Sequence, residues 1–192
     1  MPEDYHIALP HWLSRYDQEG RRFVRSVDDR MSLAIELAAR NVEDDLGGPF
    51  GAAVFESDSG RLLGAGVNRV MDQNCCVLHA EVMAIMLAQR RRAGYTLAQR
   101  GKPPCEIVSS CEPCAMCLGA ITWSGVRRLV CGAREDDAFA LGFDEGFKSD
   151  DWIQQLRARG IEVERDVKRD EACAVFRRYV QKGGVIYNPT VS

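Results

Sequence analysis

The chain has 192 residues, 46% of them hydrophobic and 28% charged, with a formal net charge of -3. That is one domain's worth of chain, long enough to bury a core without covalent staples, and its composition excludes a disordered, collagenous or coiled-coil protein. No run of about 18 apolar residues exists to span a membrane, no secretory signal is visible in residues 1–6, and the acidic balance argues against obligate nucleic-acid binding.

Residues 1–26 read as an arm, in which Leu9, Pro10, His11, Trp12 and Leu13 can dock on a surface. Ser26 or Asp28 can cap a helix running to about Asp45, with Met31, Leu33, Ile35, Leu37 and Ala38 as apolar positions. Residues 50–55 read as a buried strand, 58–60 as a hairpin turn and 61–67 as the return strand. A helix follows from His79 to about Arg92, then a short strand at 105–108, a helix at 114–123 and a strand at 128–131. After a polar, acidic segment over 134–146 come a helix at 152–159 and a strand at 161–163. A last helix, opened by Asp166 or Asp170, ends at Gly183 and Gly184. The order predicts an α/β fold, a three-layer α-β-α sandwich around a five-stranded mixed sheet. The connection between the fourth and fifth strands spans about 28 residues, which suits a parallel crossover. The expected division is an arm at 1–26, a domain at 27–183 and a tail at 184–192.

Eight cysteines in a chain without a visible signal sequence point to a reducing compartment, the cytoplasm, where clustered cysteines are more often ligands than bridges. Two fragments carry chemistry, His79-Ala80-Glu81 and Pro113-Cys114-Ala115-Met116-Cys117, and each opens a predicted helix. Cys114 and Cys117 share one face of a first turn, where the helix N-terminus favours thiolates. With His79 as third ligand, a tetrahedral zinc keeps one position for water, as catalytic sites do. Glu81 can then move a proton to and from that water. A closed structural knuckle completed by Cys105 or Cys111 is the alternative. Cys75 and Cys76 read as structural, Cys111, Cys131 and Cys173 as small packing groups, and His6 and His11 take no ligand role.

The HxE and PCxxC fragments together are the zinc deaminase signature, and the chain resembles the cytidine-deaminase superfamily over about residues 28–182, including its parallel fourth and fifth strands. Residues 48–54 (GPFGAAV), 68–70 (NRV), 143–146 (FDEG) and 184–189 (GVIYNP) look like the bacterial guanine deaminases of that superfamily. The resemblance implies hydrolysis of guanine to xanthine and ammonia. One zinc per subunit would activate water, and Glu81 would shuttle the proton. It implies Asn68 as a purine contact and Glu145 as a second acid assisting the leaving ammonia, with Asp144 the alternative. It also implies a pocket lined by Phe50, Ala52, Ala80, Trp123, Phe143, Asp144 and Tyr187, a tail that closes the site, and a homodimer.

Blander readings stand beside these. Asn68 can be a loop residue, Asp144 and Glu145 a solvated turn, Trp123 a core residue and Tyr187 part of a free tail. Other substrates with the same amidine chemistry are cytosine, guanosine or an aminotriazine such as ammeline. A tRNA adenosine deaminase would need a cationic surface, for which Arg90, Arg91 and Arg92 are the candidates, against their reading as a solvated helix face. A non-enzymatic zinc module is the remaining alternative. The expected partner is a small nucleobase, with no membrane and no nucleic acid.

Overall fold

The computed structural model describes residues 6–18 and 23–188. Its helices are α1 (Leu13–Gln18), α2 (Val27–Glu43), α3 (Ala80–Arg92), α4 (Ala115–Ser124), α5 (Glu135–Phe139), α6 (Trp152–Ala158) and α7 (Arg169–Gln181). Its strands are β1 (Gly51–Glu56), β2 (Leu62–Val67), β3 (Cys105–Cys111), β4 (Arg128–Ala133) and β5 (Glu162–Glu164). The sheet order is β2-β1-β3-β4-β5. β1 runs antiparallel to β2 and β3, whereas β3, β4 and β5 are mutually parallel. This is the expected mixed α/β sandwich.

Local sequence explains most elements. Ser26 caps α2 by accepting from the Asp29 N–H at 3.0 Å. Arg30, Leu33, Ala34, Leu37, Ala38, Asn41 and Val42 bury one stripe of that helix at the helical period. β1, β2 and β3 are buried along nearly their whole length, as strands covered on both faces must be. One sheet face carries the core of α3, α4 and α6, with Ile85, Ile107, Ile121 and Leu156. The other carries α2 and α7, through Met31, Leu37, Val130, Val175 and Phe176.

Two short helices were not predicted. α1 belongs to the arm, where Trp12 and Leu13 are buried against β2 and α2. The segment therefore docks on its own chain, although residues 1–5 and 19–22 of the arm lie outside the described residues. α5 arises inside the acidic segment, where Asp137 accepts from the Arg134 N–H at 2.8 Å and closes a single turn. The last helix is not opened by either expected aspartate. Lys168 takes the N-cap with φ of 53°, and Asp170 falls in the first turn. Asp166 instead binds the Arg134 guanidinium through two contacts of 2.7 Å.

The fold brings the chemistry together at one edge of the core. α3 lies directly on β2, because Gly66 has no side chain; a Cβ there would sit 2.2 Å from the Ala80 carbonyl oxygen. The starts of α3 and α4 thus meet beside the carboxyl ends of β3 and β4, the usual position of ligand sites in such sheets.

Candidate active site

His79 is the N-cap of α3 and Cys114 the N-cap of α4. Neither side chain caps its own helix, so both are free to face the space between them. Cys117 lies one turn into α4 and is fully buried. The ligand atoms of His79, Cys114 and Cys117 lie within 4.8 Å of one another, and Cys114 Sγ is 3.5 Å from His79 Nδ1. A tetrahedral zinc with Zn–N of about 2.05 Å and Zn–S of about 2.3 Å requires an N···S edge of about 3.5–3.6 Å, so the donor set fits that ion. Cys105 and Cys111 do not join the group among the described residues. Burial pushes both of their thiols up, that of Cys105 to about 11. The closed four-ligand knuckle is therefore not what this chain builds.

The thiols are differentiated. A hydrogen bond from Cys117 lowers the Cys114 pKa to about 4 despite burial, with further help from His79. The Cys117 thiol is raised, first by that same hydrogen bond and then by burial. Burial works to lower the His79 pKa, but the hydrogen bond and charge of Cys114 outweigh it and raise it.

Glu81 is buried beside this cluster. Its Oε1 accepts from Ser109 Oγ at 2.9 Å and its Oε2 from Cys117 Sγ at 3.3 Å. Burial raises its carboxyl pKa above the ordinary value, and the Cys114 charge adds to the rise. A carboxyl with raised proton affinity, held against the metal ligands, is equipped for proton transfer.

A narrow cavity of about 30 Å³ opens from the cluster and is lined by Phe50, Asn68, His79, Glu81, Glu112, Cys114, Phe143, Asp144, Glu145 and Tyr187. With Tyr187 seated against Asn68 that space is about one water in size, and a wider cleft of about 450 Å³ adjoins it, sharing His79, Cys114, Asp144, Glu145 and Tyr187. Phe50 meets Phe143 edge-on at 5.1 Å, and Phe143 meets Tyr187 at 5.9 Å. Asn68 is fully buried. Its Oδ1 accepts from the N–H groups of Gly48 and Val70, each at 3.3 Å. Its Nδ2 donates to Tyr187 Oη at 2.5 Å, so a base would take that donor by displacing the tyrosine hydroxyl. Glu145 is only 6% exposed, and burial, followed by the charges of Cys114 and Glu81, pushes its carboxyl up to about 8. Asp144 also lines the cavity but is solvent-exposed, and its Oδ1 accepts from the Gly146 N–H at 2.8 Å.

Three expected lining residues are placed elsewhere. Trp123 is 87% exposed on the outer face of α4, because the inward stripe of that helix is Cys117, Ile121 and Ser124. Ala52 and Ala80 are completely buried in the core between the sheet and α3. Ser109 and Glu112 were not anticipated. Both follow from β3 leading straight into Pro113 and Cys114, which puts Glu112 in the cavity wall and Ser109 against Glu81. The Glu112 carboxylate is turned toward Arg165 and the Glu135 N–H.

The family model of the cytidine and deoxycytidylate deaminase zinc-binding region matches residues 25–133. The chain belongs to this family. Family and site together make it a zinc-dependent hydrolytic deaminase. The chain is 39% identical over 114 residues to the guanine deaminase of Bacillus subtilis, covering 59% of this chain and 69% of that one. Its fold superposes on the solved guanine deaminase of Nitrosomonas europaea with a TM-score of 0.90 and 47% identity, over 93% of this chain and 97% of that one. A mutant form of that protein solved with 8-azaguanine bound gives a TM-score of 0.91 at 47% identity, over 95% and 98% of the two chains.

Proposed function

We propose that this deaminase converts guanine to xanthine and ammonia. The observation that carries the reading is the pairing of one fixed donor, Asn68 Nδ2, with one buried acid, Glu145, in an aromatic-walled cavity beside the His79–Cys114–Cys117 cluster. Guanine presents acceptors at O6 and its imine nitrogens, and donors at N1 and the 2-amino group. The Asn68 amide suits an acceptor, while a carboxylate can accept from N1–H and the amine together. Phe50, Phe143 and Tyr187 offer ring faces and edges to a planar base. The bound-analogue structure and the Bacillus subtilis relative support the same substrate.

His79, Cys114 and Cys117 would hold one zinc, which supplies Lewis acidity and a water with a pKa of about 7 at its fourth position. Glu81 takes a proton from the attacking water and delivers it to the ring nitrogen next to the amine-bearing carbon. Glu145 then places a proton on the amine as it leaves as ammonia, and the hydroxyl proton released as the new C=O forms returns to the carboxylates, so that each ends as it began. Its raised carboxyl pKa keeps that proton available near neutral pH. Asp144, being exposed and engaged with its own loop, is the weaker candidate for this role.

Residues 27–183 form the catalytic unit in this reading, the arm braces it, and the tail from residue 184 covers the cavity with Tyr187. The outer face of α4, with Met116 and Trp123 exposed on a helix that carries no charged residue, supports a homodimer. All eight cysteines are free, which fits the cytoplasm, and no helix among the described residues is long and apolar enough to cross a membrane. A tRNA substrate is not favoured. Arg91 donates to the Leu62 carbonyl and Arg92 to those of Leu97 and Pro103, so these two cations are engaged within the fold.

The test is chemical identification of the product. Zinc-loaded protein given guanine should yield xanthine, and Glu81→Gln should lower turnover by at least about 10²–10⁴-fold while zinc content holds. Absence of xanthine from the wild-type reaction would overturn the proposal.

A further inference from the structure

Glu145 lies in a stretch without helix or strand, between α5 and α6, yet its position is strongly determined. Its carbonyl accepts from the Ala115 N–H at 2.9 Å. Gly146 follows with φ of +73°, and a Cβ there would come within 3.2 Å of Ala115 Cβ, so the loop presses on the start of α4. Three residues beyond Glu145 sits Lys148, a cation whose side chain is only 2% exposed. Its Nζ donates to the Pro113 carbonyl at 3.0 Å, pairs with Glu135 Oε2 at 2.8 Å and lies 5.0 Å from the centre of the Trp152 ring. Burying an ammonium is costly unless it is paired and hydrogen-bonded, and here every partner comes from a different segment. Pro113 and Ala115 flank Cys114. The loop that carries the second acid is therefore fastened on both sides of a metal ligand, once through backbone and once through Lys148.

We infer that Lys148 is a positioning residue for the deamination: it locks the Glu145 loop to the start of α4, so that the second acid and the metal ligands form one rigid unit. The inference rests on the reading of Glu145 as the acid that serves the leaving amine. A loop without this clamp keeps its backbone bond at Ala115 but loses the tie at Pro113 and the link to α5. Misplacement of a reacting group by about 1 Å can cost about 10²-fold in rate.

The experiment is a double-mutant cycle on the full, zinc-loaded chain with guanine, using wild type, Lys148→Met, Glu145→Gln and the double variant. Lys148→Met should lower kcat by about 10–100-fold with KM changed much less and zinc content unchanged. In the Glu145→Gln background the same substitution should change kcat by less than about threefold, because the group it positions is gone. An equal loss in both backgrounds overturns the inference and identifies Lys148 as general scaffolding. So does a wild-type rate in either single variant. If Lys148→Met does not fold, Glu135→Gln weakens the same clamp, and the same non-additivity is expected of it. Wild-type turnover with additive losses sinks this inference alone, whereas a wild type that makes no xanthine sinks the substrate reading beneath it.

Discussion

At the scale of single residues, Glu81 and Glu145 are two buried carboxyls beside the metal-ligand cluster, and the burial of Glu145 has a consequence measurable without substrate. In metal-free protein, burial raises the Glu145 pKa from 4.5 to about 8. Between those values the folded chain keeps a proton that the unfolded chain releases. Glu145 thus contributes stability in full below pH 4.5, and that contribution is lost as pH rises toward 8. Glu145→Gln stays neutral throughout. The Tm of chelator-treated wild type should therefore match that of Glu145→Gln near pH 5 and fall progressively below it by pH 8, as read by a thermal melt. A constant difference across that window would contradict the assigned burial. His79, Glu81, Cys114 and Cys117 were legible in the sequence, because spacing within each fragment and the helix start that each fragment opens are local features. Glu112 and Ser109 carry no such pattern, and Lys148 meets Pro113 across 35 residues of sequence, so only the fold reveals them. Trp123 was misplaced for a related reason. Motif likeness gives a residue's neighbourhood along the chain, whereas the helical phase of α4 decides which way it points.

The tail is the element whose role is most open to direct test. Gly184 donates to the Tyr179 carbonyl at 2.9 Å, and Tyr179 Oη donates to the Val185 carbonyl at 2.6 Å. Asn188 accepts from the Asp144 N–H at 2.9 Å and donates to the Gly142 carbonyl at 2.9 Å, which ties the tail to the loop of the second acid. Tyr187 lines the cavity and accepts from Asn68 Nδ2. Truncation after Gly183 should raise KM or lower kcat for guanine, because a segment that shields the site from water is lost. Circular dichroism should show the fold intact, since the large core side chains of α2, α3 and the sheet are untouched. Kinetics identical to full length would remove the lid role. Long periodic elements such as α2 and α3 were readable from their apolar spacing. α1 and α5 were not, because a helix of one or two turns has too few residues to display a period, and each is held by contacts distant in sequence.

For the molecule as a whole, the open question is what covers α4. Its inward stripe builds the site while its outward stripe, with Met116 and Trp123, faces solvent in the single chain. Trp123→Glu should shift a dimer to monomer in sedimentation, since a buried charge at such a contact is unfavourable. A wild-type chain that sediments as a monomer would contradict the dimer directly. The sheet order was readable only in part. The length of the β4–β5 connection marked a parallel crossover, whereas the place of β1 between β2 and β3 depends on pairing across the core, which leaves no local trace.

Ammonia release from zinc-loaded protein given guanine, guanosine, cytosine and adenine side by side tests the substrate assignment. Guanine should turn over well above the other three, because Asn68 offers a donor and Glu145 a carboxyl to complementary edges of that base. Turnover of another base with silence on guanine would keep the zinc chemistry and contradict the assigned substrate; silence on all four would contradict the account of the site itself.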